Sequence, residues 1–405
     1  MPVELGNVPA LEAIENIRSK LAIPTNRWDD YLSLPRGKAF TIAGATKVDL
    51  LNDFQEDIAQ ALENGESISN FRKGFDSTVQ KHGWTYKGKR GWRTRVIYNN
   101  NLRSSHMAGR WEQIQRTKKN RPYLVYYTAG DRKVRPEHAG WRYIALPVDH
   151  PFWDTHFPPN GWGCRCYIIS ANEALLKRLG ITPAEQAPAL NETTRVSQST
   201  GEIYGDVPAG IDVGWNNNVG KQWLGPDAAF GEKLMKLPRD VRRAALANDG
   251  VQIQQLSKSF SLWAAKSLRQ NSQNKLHSVG WMQDDLIEAL AKKEVVPKTA
   301  VISISDTRLK RMQRDLKKEK GIELPVGVLY NLPNEIKNSQ AVLMNNKGNL
   351  LFVLKDEYDN KSGKIIVSVN FKEAGELTNS VRSGGVVALE NLRDKNQYEL
   401  LIGKL

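Results

Sequence analysis

Residues 138–166 hold five thiol and imidazole side chains: His138, His150, His156, Cys164 and Cys166. Two thiolates with two or three imidazoles are the donor set that tetrahedral zinc prefers. On that reading His138, His150, Cys164 and Cys166 are the candidate ligands. The spacing is unusual, because CxC bites more tightly than CxxC and the histidines are separated by long Pro-rich loops. Structural zinc would pin a loop that has little core of its own. The alternative is a pair of reduced thiols beside histidines that cap backbone groups. Two cysteines cannot make a disulfide framework, and one intervening residue strains a bridge between them, so a reducing compartment or a metal fits better. A nucleophilic Cys–His pair is disfavoured, since GWGCRCYII reads as a turn entering a strand and offers no helix N-terminus to the thiol.

A second feature is basic. Residues 86–135 contain fourteen Lys and Arg against Glu112 and Asp131, a local charge of +12 in a chain whose total is +14. Arg90, Arg93, Arg95, Arg103 and Arg110 are the candidate nucleic-acid contacts, with Trp92, Trp111 and several tyrosines between them. Arginines among aromatics suit a phosphate backbone or an acidic protein surface. No base-reading motif accompanies them, so binding to DNA or RNA would tolerate any sequence. A solvated basic face is the bland alternative.

Helical and strand patterns must position these groups. Leu11, Ile14, Ile17 and Leu21 have helical spacing, and a helix is expected over 8–22. KVDLLNDFQEDIAQALENG puts Leu50, Leu51, Phe54, Ile58 and Leu62 on one face, with Gly65 as its stop. ISNFRKGFDSTVQKHG ends likewise at Gly83. A longer basic helix covers about 92–116. YLVYYTA has strand composition, residues 131–166 are loop-rich, and NEALLKRLG is a short helix. Residues 181–235 show little regular pattern, and helical patterning returns at about 236–294.

The last hundred residues change character. SDTRLKRMQRDLKKEKG has Ser305 as N-cap, repeats Leu309, Met312 and Leu316, and ends at Gly321. After it come AVLM, LLFVL, IIVSVNF, VVALENL and YELLIG, with NNKG and DNKSG as turns. One helix followed by an antiparallel meander is a small α+β domain. The fold class is therefore multidomain α+β, a mainly helical N-terminal domain with a loop-rich Cys/His segment followed by this smaller one.

With 405 residues, two or three domains are expected. Hydrophobic residues at 40% supply real cores and exclude wholesale disorder. No apolar run approaches the ~20 residues needed to cross a bilayer, so no membrane partner is expected. MPVELGNVPALEAIENIRSKLAI lacks a basic head followed by an apolar core, so no secretory signal is expected.

FTIAGATKVDLLNDFQEDIAQALENGESISNFRKGFD, DRKVRPEHAGW and DHPFWDTHFPPNGWGCRCYI together resemble the phage Mu F-type minor head proteins, also called the MuF or head-morphogenesis family. VPAGIDVGWNNNVGKQWLGPDAA resembles the extension of the Mu branch, and the resemblance covers roughly residues 30–235. It implies a MuF-like head-morphogenesis domain over 1–180, an irregular extended arm over 181–235, a helical linker over 236–298 and a separate domain over 299–405. It implies a portal-associated minor capsid protein of a Mu-like phage or prophage, acting in head assembly and DNA packaging or delivery. Portal and capsid proteins would be its partners, in the virion and, during assembly, in the host cytoplasm. The N-terminal domain would not be an enzyme.

Proteins of this family are often fused to C-terminal domains that resemble toxins. The pattern over 299–405 is similar to the barnase–EndoU–colicin–RelE-like nucleases of phages. That likeness implies a virion-carried ribonuclease toxin with a cognate immunity protein. Its candidate catalytic residues are Lys310, Arg311, Arg382, Ser383 and Tyr398, because RNA cleavage needs a base, an acid and a cation for the phosphate. No histidine follows His277, so the histidine many such nucleases use is absent. A purely binding domain is the alternative.

Overall fold

The apolar periodicities of the first half are realised as packed helices in the computed structural model. It describes residues 10–32, 34–198, 200–225, 227–247, 250–314, 317, 319–358 and 361–405. The chain divides into two units, residues 1–225 and 226–405.

In the first unit, helix α1 (Leu11–Ser19), a parallel strand pair β1 (Leu21–Ala22) and β2 (Ala39–Phe40), α2 (Val48–Asn64), α3 (Ile68–His82) and the 28-residue α4 (Arg90–Thr117) come in order. Helices α2 and α3 each end on a glycine in the left-handed conformation, Gly65 at φ 65° and Gly83 at φ 60°, where a Cβ would cost energy. Leu50, Leu51, Phe54, Ile58 and Leu62 are all buried, as their spacing requires. Phe54 stacks on Phe75 with ring centres 5.3 Å apart, and Trp84 meets both rings edge-on.

Helix α4 is the axis of this unit, with α1, α2 and α3 all packed on it. Two glycines let neighbours approach it closely. A Cβ on Gly109 would lie 2.7 Å from the backbone nitrogen of Ala13 in α1. A Cβ on Gly220, in the short helix Val219–Leu224, would collide with the Cβ of Trp111.

After α4 comes an antiparallel sheet, β3 (Tyr123–Tyr127) between β4 (Ala145–Pro147) and β5 (Tyr167–Ala171). Val125 pairs with Ala145 on one side and Ile169 on the other. The loop-rich stretch also carries short helices α5 (Pro136–Gly140) and α6 (Phe152–His156), and α7 (Glu173–Leu179) follows the sheet. Asn172 caps α7 by accepting from Leu175 N at 2.9 Å.

Residues 181–225 differ from the extended arm expected of them. They carry a hairpin, β6 (Thr193–Val196) and β7 (Ile203–Val207), and α8 (Val219–Leu224). Val207, Ile211, Trp215 and Val219 are buried in the same core as Trp111, Trp141, Trp153 and both cysteines. The segment reads as irregular because its apolar residues are anchored one at a time, with no helical or strand period.

The second unit begins with α9 (Asp227–Met235), α10 (Arg239–Ala247) and α11 (Gly250–Arg269). Two strands follow that the sequence reading does not assign, β8 (Leu276–Trp281) and β9 (Val301–Ser305), with α12 (Asp284–Ala291) between them. The region 236–298 is thus part of a folded unit, where a helical linker was expected. Strand β9 is buried at every position, and such a short apolar run shows no alternation to read.

Ser305 caps α13 (Asp306–Met312) as expected, accepting from Arg308 N at 3.2 Å. The helix is shorter than its pattern suggests. Gln313 leaves helical geometry at φ −104°, ψ 18°, and its side chain donates to the carbonyl of Leu324. Leu316 and Lys318 lie outside the described residues.

The meander is β10 (Ala341–Asn345), β11 (Asn349–Tyr358), β12 (Lys361–Glu373), β13 (Glu376–Ala388) and β14 (Tyr398–Gly403). With β8 and β9 it makes a seven-stranded sheet in the order β14-β10-β11-β12-β13-β9-β8. Only β13–β9 is a parallel pair. The β12–β13 hairpin turns through Ala374 and Gly375, both at positive φ, which matches the twist of the flanking strands. Among the described residues no helix is long and apolar enough to cross a membrane.

Candidate metal centre

His138, on α5, comes together with Cys164 and Cys166 at the entry to β5. Nδ1 of His138 lies 3.7 Å from the Cys164 sulfur and 3.4 Å from the Cys166 sulfur, and all three residues are buried. Their donor atoms lie within 4.8 Å of one another. Zinc bound tetrahedrally to one nitrogen and two sulfurs would separate donors by about 3.6–3.8 Å, so the three sit near ligating positions.

The imidazole is held in the orientation a ligand needs. Its Nε2–H donates to the carbonyl of Gly210 at 2.8 Å, which leaves the Nδ1 lone pair facing the sulfurs. Its ring stacks on Trp141 with centres 4.8 Å apart. A backbone carbonyl on the far nitrogen is the usual support of a metal-bound histidine. Gly210 is 72 positions from His138, and nothing in the sequence joins them.

The cysteine turn is clamped from several sides. Gly163 N donates to the Asn100 side chain at 2.9 Å, and Arg103 donates to the Cys164 carbonyl at 3.1 Å. Arg135 forms a two-pronged ion pair with Asp212 at 2.8 and 2.9 Å, and Arg165 forms another with Asp131 at 2.5 and 2.6 Å. The Arg165 pair holds Asp131 down at about 2. A cavity of about 80 Å³, with Lys133, Arg135 and Arg165 on its walls, opens beside the three donors. It leaves room for a fourth ligand, a water or a side chain from a partner.

The hydrogen bond from Cys166 holds the Cys164 thiol well below its usual value, with His138 adding to the effect against burial. The hydrogen bond with Cys164, together with burial, pushes Cys166 up.

His150 does not join this group. Its Nδ1 accepts from Phe152 N at 3.1 Å, so the ring folds back on the Pro147–Pro151 turn that carries it. His156 is also separate, stacked on Phe152 at 4.1 Å and bonded through Nδ1 to Thr155 Oγ1.

The five basic-helix residues divide between the interior and the surface. Arg93 is buried, donates to the carbonyl of Ala43 and lies over Trp84. Arg103 serves the cysteine turn, and Arg110 is half-buried beside Gln113. Arg90 is exposed but paired with Asp76 at 2.6 Å, while Arg95 is exposed. Part of the charge dense in the sequence thus serves internal contacts of unit 1, and part stays at the surface.

The candidate catalytic residues of the second unit do not gather. Arg382 is the extra residue of a bulge in β13, bonded to Glu373 at 2.8 Å with its guanidinium 3.7 Å above Phe371. Ser383 instead accepts from Lys317 Nζ at 3.1 Å. Lys310 donates to the carbonyl of Gln270. Arg311 lies on α13 and is exposed. Tyr398 pairs with Asn345 on the far edge of the sheet, with β10, β11 and β12 between its strand and β13. At about 4.8 Å per strand, that is roughly 19 Å from Arg382. The sequence reading missed the group that organises this region. Glu373 accepts from Ser305 (3.0 Å), Arg308 (3.2 Å), Ser380 (3.2 Å) and Arg382.

Unit 1 is thus a helical scaffold, built on α4, that presents a buried thiol–imidazole loop beside a small sheet. Residues 52–169, which contain that loop, match the family model described as Phage Mu protein F like protein. Over the whole chain there is similarity to the putative capsid assembly protein F of Escherichia phage Mu, 28% identical over 442 aligned positions that cover 97% of this chain and 98% of that one. The Mu-like prophage FluMu F protein of Haemophilus influenzae is 25% identical, covering 94% of this chain and 99% of its own length. No solved structure matches the chain.

Proposed function

We propose that this chain is a minor head protein of a Mu-like phage or prophage, acting with portal and capsid proteins in head assembly. One observation carries the reading: the similarity to a putative capsid assembly protein runs nearly end to end, through both units. A toxin appendage added to a shared N-terminal domain would leave the relative matching only that domain. The second unit is therefore read as part of the head protein. The place of action is the virion or its assembly intermediates.

The His138–Cys164–Cys166 centre holds zinc on this reading and supports structure. Zinc would fix the loop between β3 and β5, whose few regular elements are short, against α4.

The test is deletion of the gene from an inducible prophage. Loss of mature heads by electron microscopy, restored by a plasmid copy, is the expected result. The chain should also be found by mass spectrometry in purified particles. Infectious particles at normal yield without the chain would overturn the reading.

A further inference from the structure

Unit 1 contains a second feature, a cavity of about 360 Å³ between α4 and the loops that flank β1, β2 and α8. Three cations line it, Lys20, Arg36 and Arg93, and among the described residues no Asp or Glu does. Lys20 is only 2% exposed. Burial, with Arg36 nearby, brings its ammonium down to about 7. Arg36 donates through Nε to the carbonyl of Gly214 at 2.8 Å, and its guanidinium lies over the rings of Trp215 (4.4 Å) and Trp162 (5.1 Å). It makes no ion pair among the described residues, and burial brings it down to about 10.

Two residues that line it carry a buried donor with no partner among the described residues, Nε1 of Trp215 and Nε of Arg93. Unpaired buried N–H groups are costly, and a ligand acceptor would satisfy them. The mouth is aromatic: Trp92, Trp28 and Trp162 are 54%, 43% and 37% exposed. Exposed tryptophans around converging cations are the usual anchors of a protein interface.

We propose that this cavity receives an acidic side chain of a partner protein, an Asp or Glu flanked by apolar residues, with the carboxylate meeting Arg36 and Lys20 and the flanks resting on the tryptophans. A nucleic-acid strand fits less well. Strand-binding grooves set cations along the surface, one near each phosphate. Here the cations converge at the inner end of one cavity with room for one or two side chains, and the aromatic groups stand at the mouth. The inference rests on the assembly reading for its partner and names the chemistry by which that partner is gripped.

The experiment is selection of a random 12-residue peptide library, displayed on yeast, against the immobilised full chain. Enriched peptides are then synthesised and titrated by tryptophan fluorescence. We expect Asp or Glu beside leucine or an aromatic residue. Changing that acid to its amide should weaken binding about tenfold or more, because a charged hydrogen bond is lost. Arg36→Gln should do the same. Since Arg36 also supports the fold, Trp92→Ala at the exposed rim is the second variant, and should weaken binding at an unchanged melting temperature.

Failure to enrich any peptide, enrichment of peptides without acids, or indifference to Trp92→Ala would overturn the proposal. So would displacement of the tightest peptide by a (dT)12 oligonucleotide, which would assign the cavity to nucleic acid. Lost heads on gene deletion with no acidic peptide selected would reject this cavity's role alone. Acidic peptides bound by a chain dispensable for heads would reject the assembly reading alone.

Discussion

The Nδ1 of His138 faces the Cys166 sulfur at 3.4 Å while its Nε2–H is held by the carbonyl of Gly210 at 2.8 Å. This links the cysteine turn to a segment more than forty residues downstream. Val207, Ile211, Trp215 and Val219 of that segment are buried in the same core as the two cysteines, so anything bound by the three donors fastens both. Purified chain should therefore contain about one zinc by elemental analysis. Cys166→Ser and Cys164→Ser should each lose the metal and lower the melting temperature. Normally folded protein with no stoichiometric metal at neutral pH would refute zinc.

Helix α2 gives a simpler test of packing. Phe54 is fully buried and touches Phe71, Phe75 and Trp84. Phe54→Ala should cost roughly 3–5 kcal/mol in chemical denaturation. A loss below about 1 kcal/mol would mean that this face is open in solution.

The close passage of α1 over α4 depends on the missing side chain of Gly109. A methyl there would press on backbone atoms of Glu12 and Ala13, which cannot rotate away. Gly109→Ala should destabilise by about 1–3 kcal/mol, although alanine is the better helix former. A gain in stability would show that α1 does not pack as described.

Burial makes His156 a group that resists protonation, bringing it down to about 4, with nearby His138 adding to the effect. The unfolded chain would protonate it near 6.5. The unfolded state thus binds the extra proton between those values, so its contribution to stability is complete above about 6.5 and fades as pH falls toward 4. The melting temperature should drop over that window. His156→Phe, which keeps an aromatic ring on Phe152, should flatten the slope. An equally steep slope in the variant would assign it elsewhere.

The sequence made α2 and α3 legible because each buries one periodic face and ends on a glycine, α7 because an asparagine caps its start and a glycine its end, and β3 through its strand composition. It also brought Cys164, Cys166 and His138 into one short list. It did not exclude His150, because ligand type says nothing about which way a Pro-bounded turn aims a ring. Lys20 and Arg36 were invisible as a pair, since one ends a helix and the other lies in a loop after Pro35. Strands β8 and β9 were hidden for a different reason. Every residue of β9 is buried, so both its faces are covered and the period of two vanishes.

Glu373 ties β12, β13 and α13 together through two arginines and two serines, with its side chain 8% exposed. Burial alone would raise its carboxyl, but the hydrogen bonds from Ser305 and Arg308 hold it below the usual range. Glu373→Gln would leave Arg308 and Arg382 facing a neutral group in a partly dry site. A loss on the order of 2–4 kcal/mol is expected, reduced to the extent that solvent reaches the arginines. Arg382→Ala should cost less, since Arg308 remains to pair the carboxylate. These losses would read as a shifted denaturation midpoint in the full chain. A catalytic Arg382 predicts the opposite pattern: an unshifted midpoint, and cleavage of total RNA by the parent chain that the variant no longer shows.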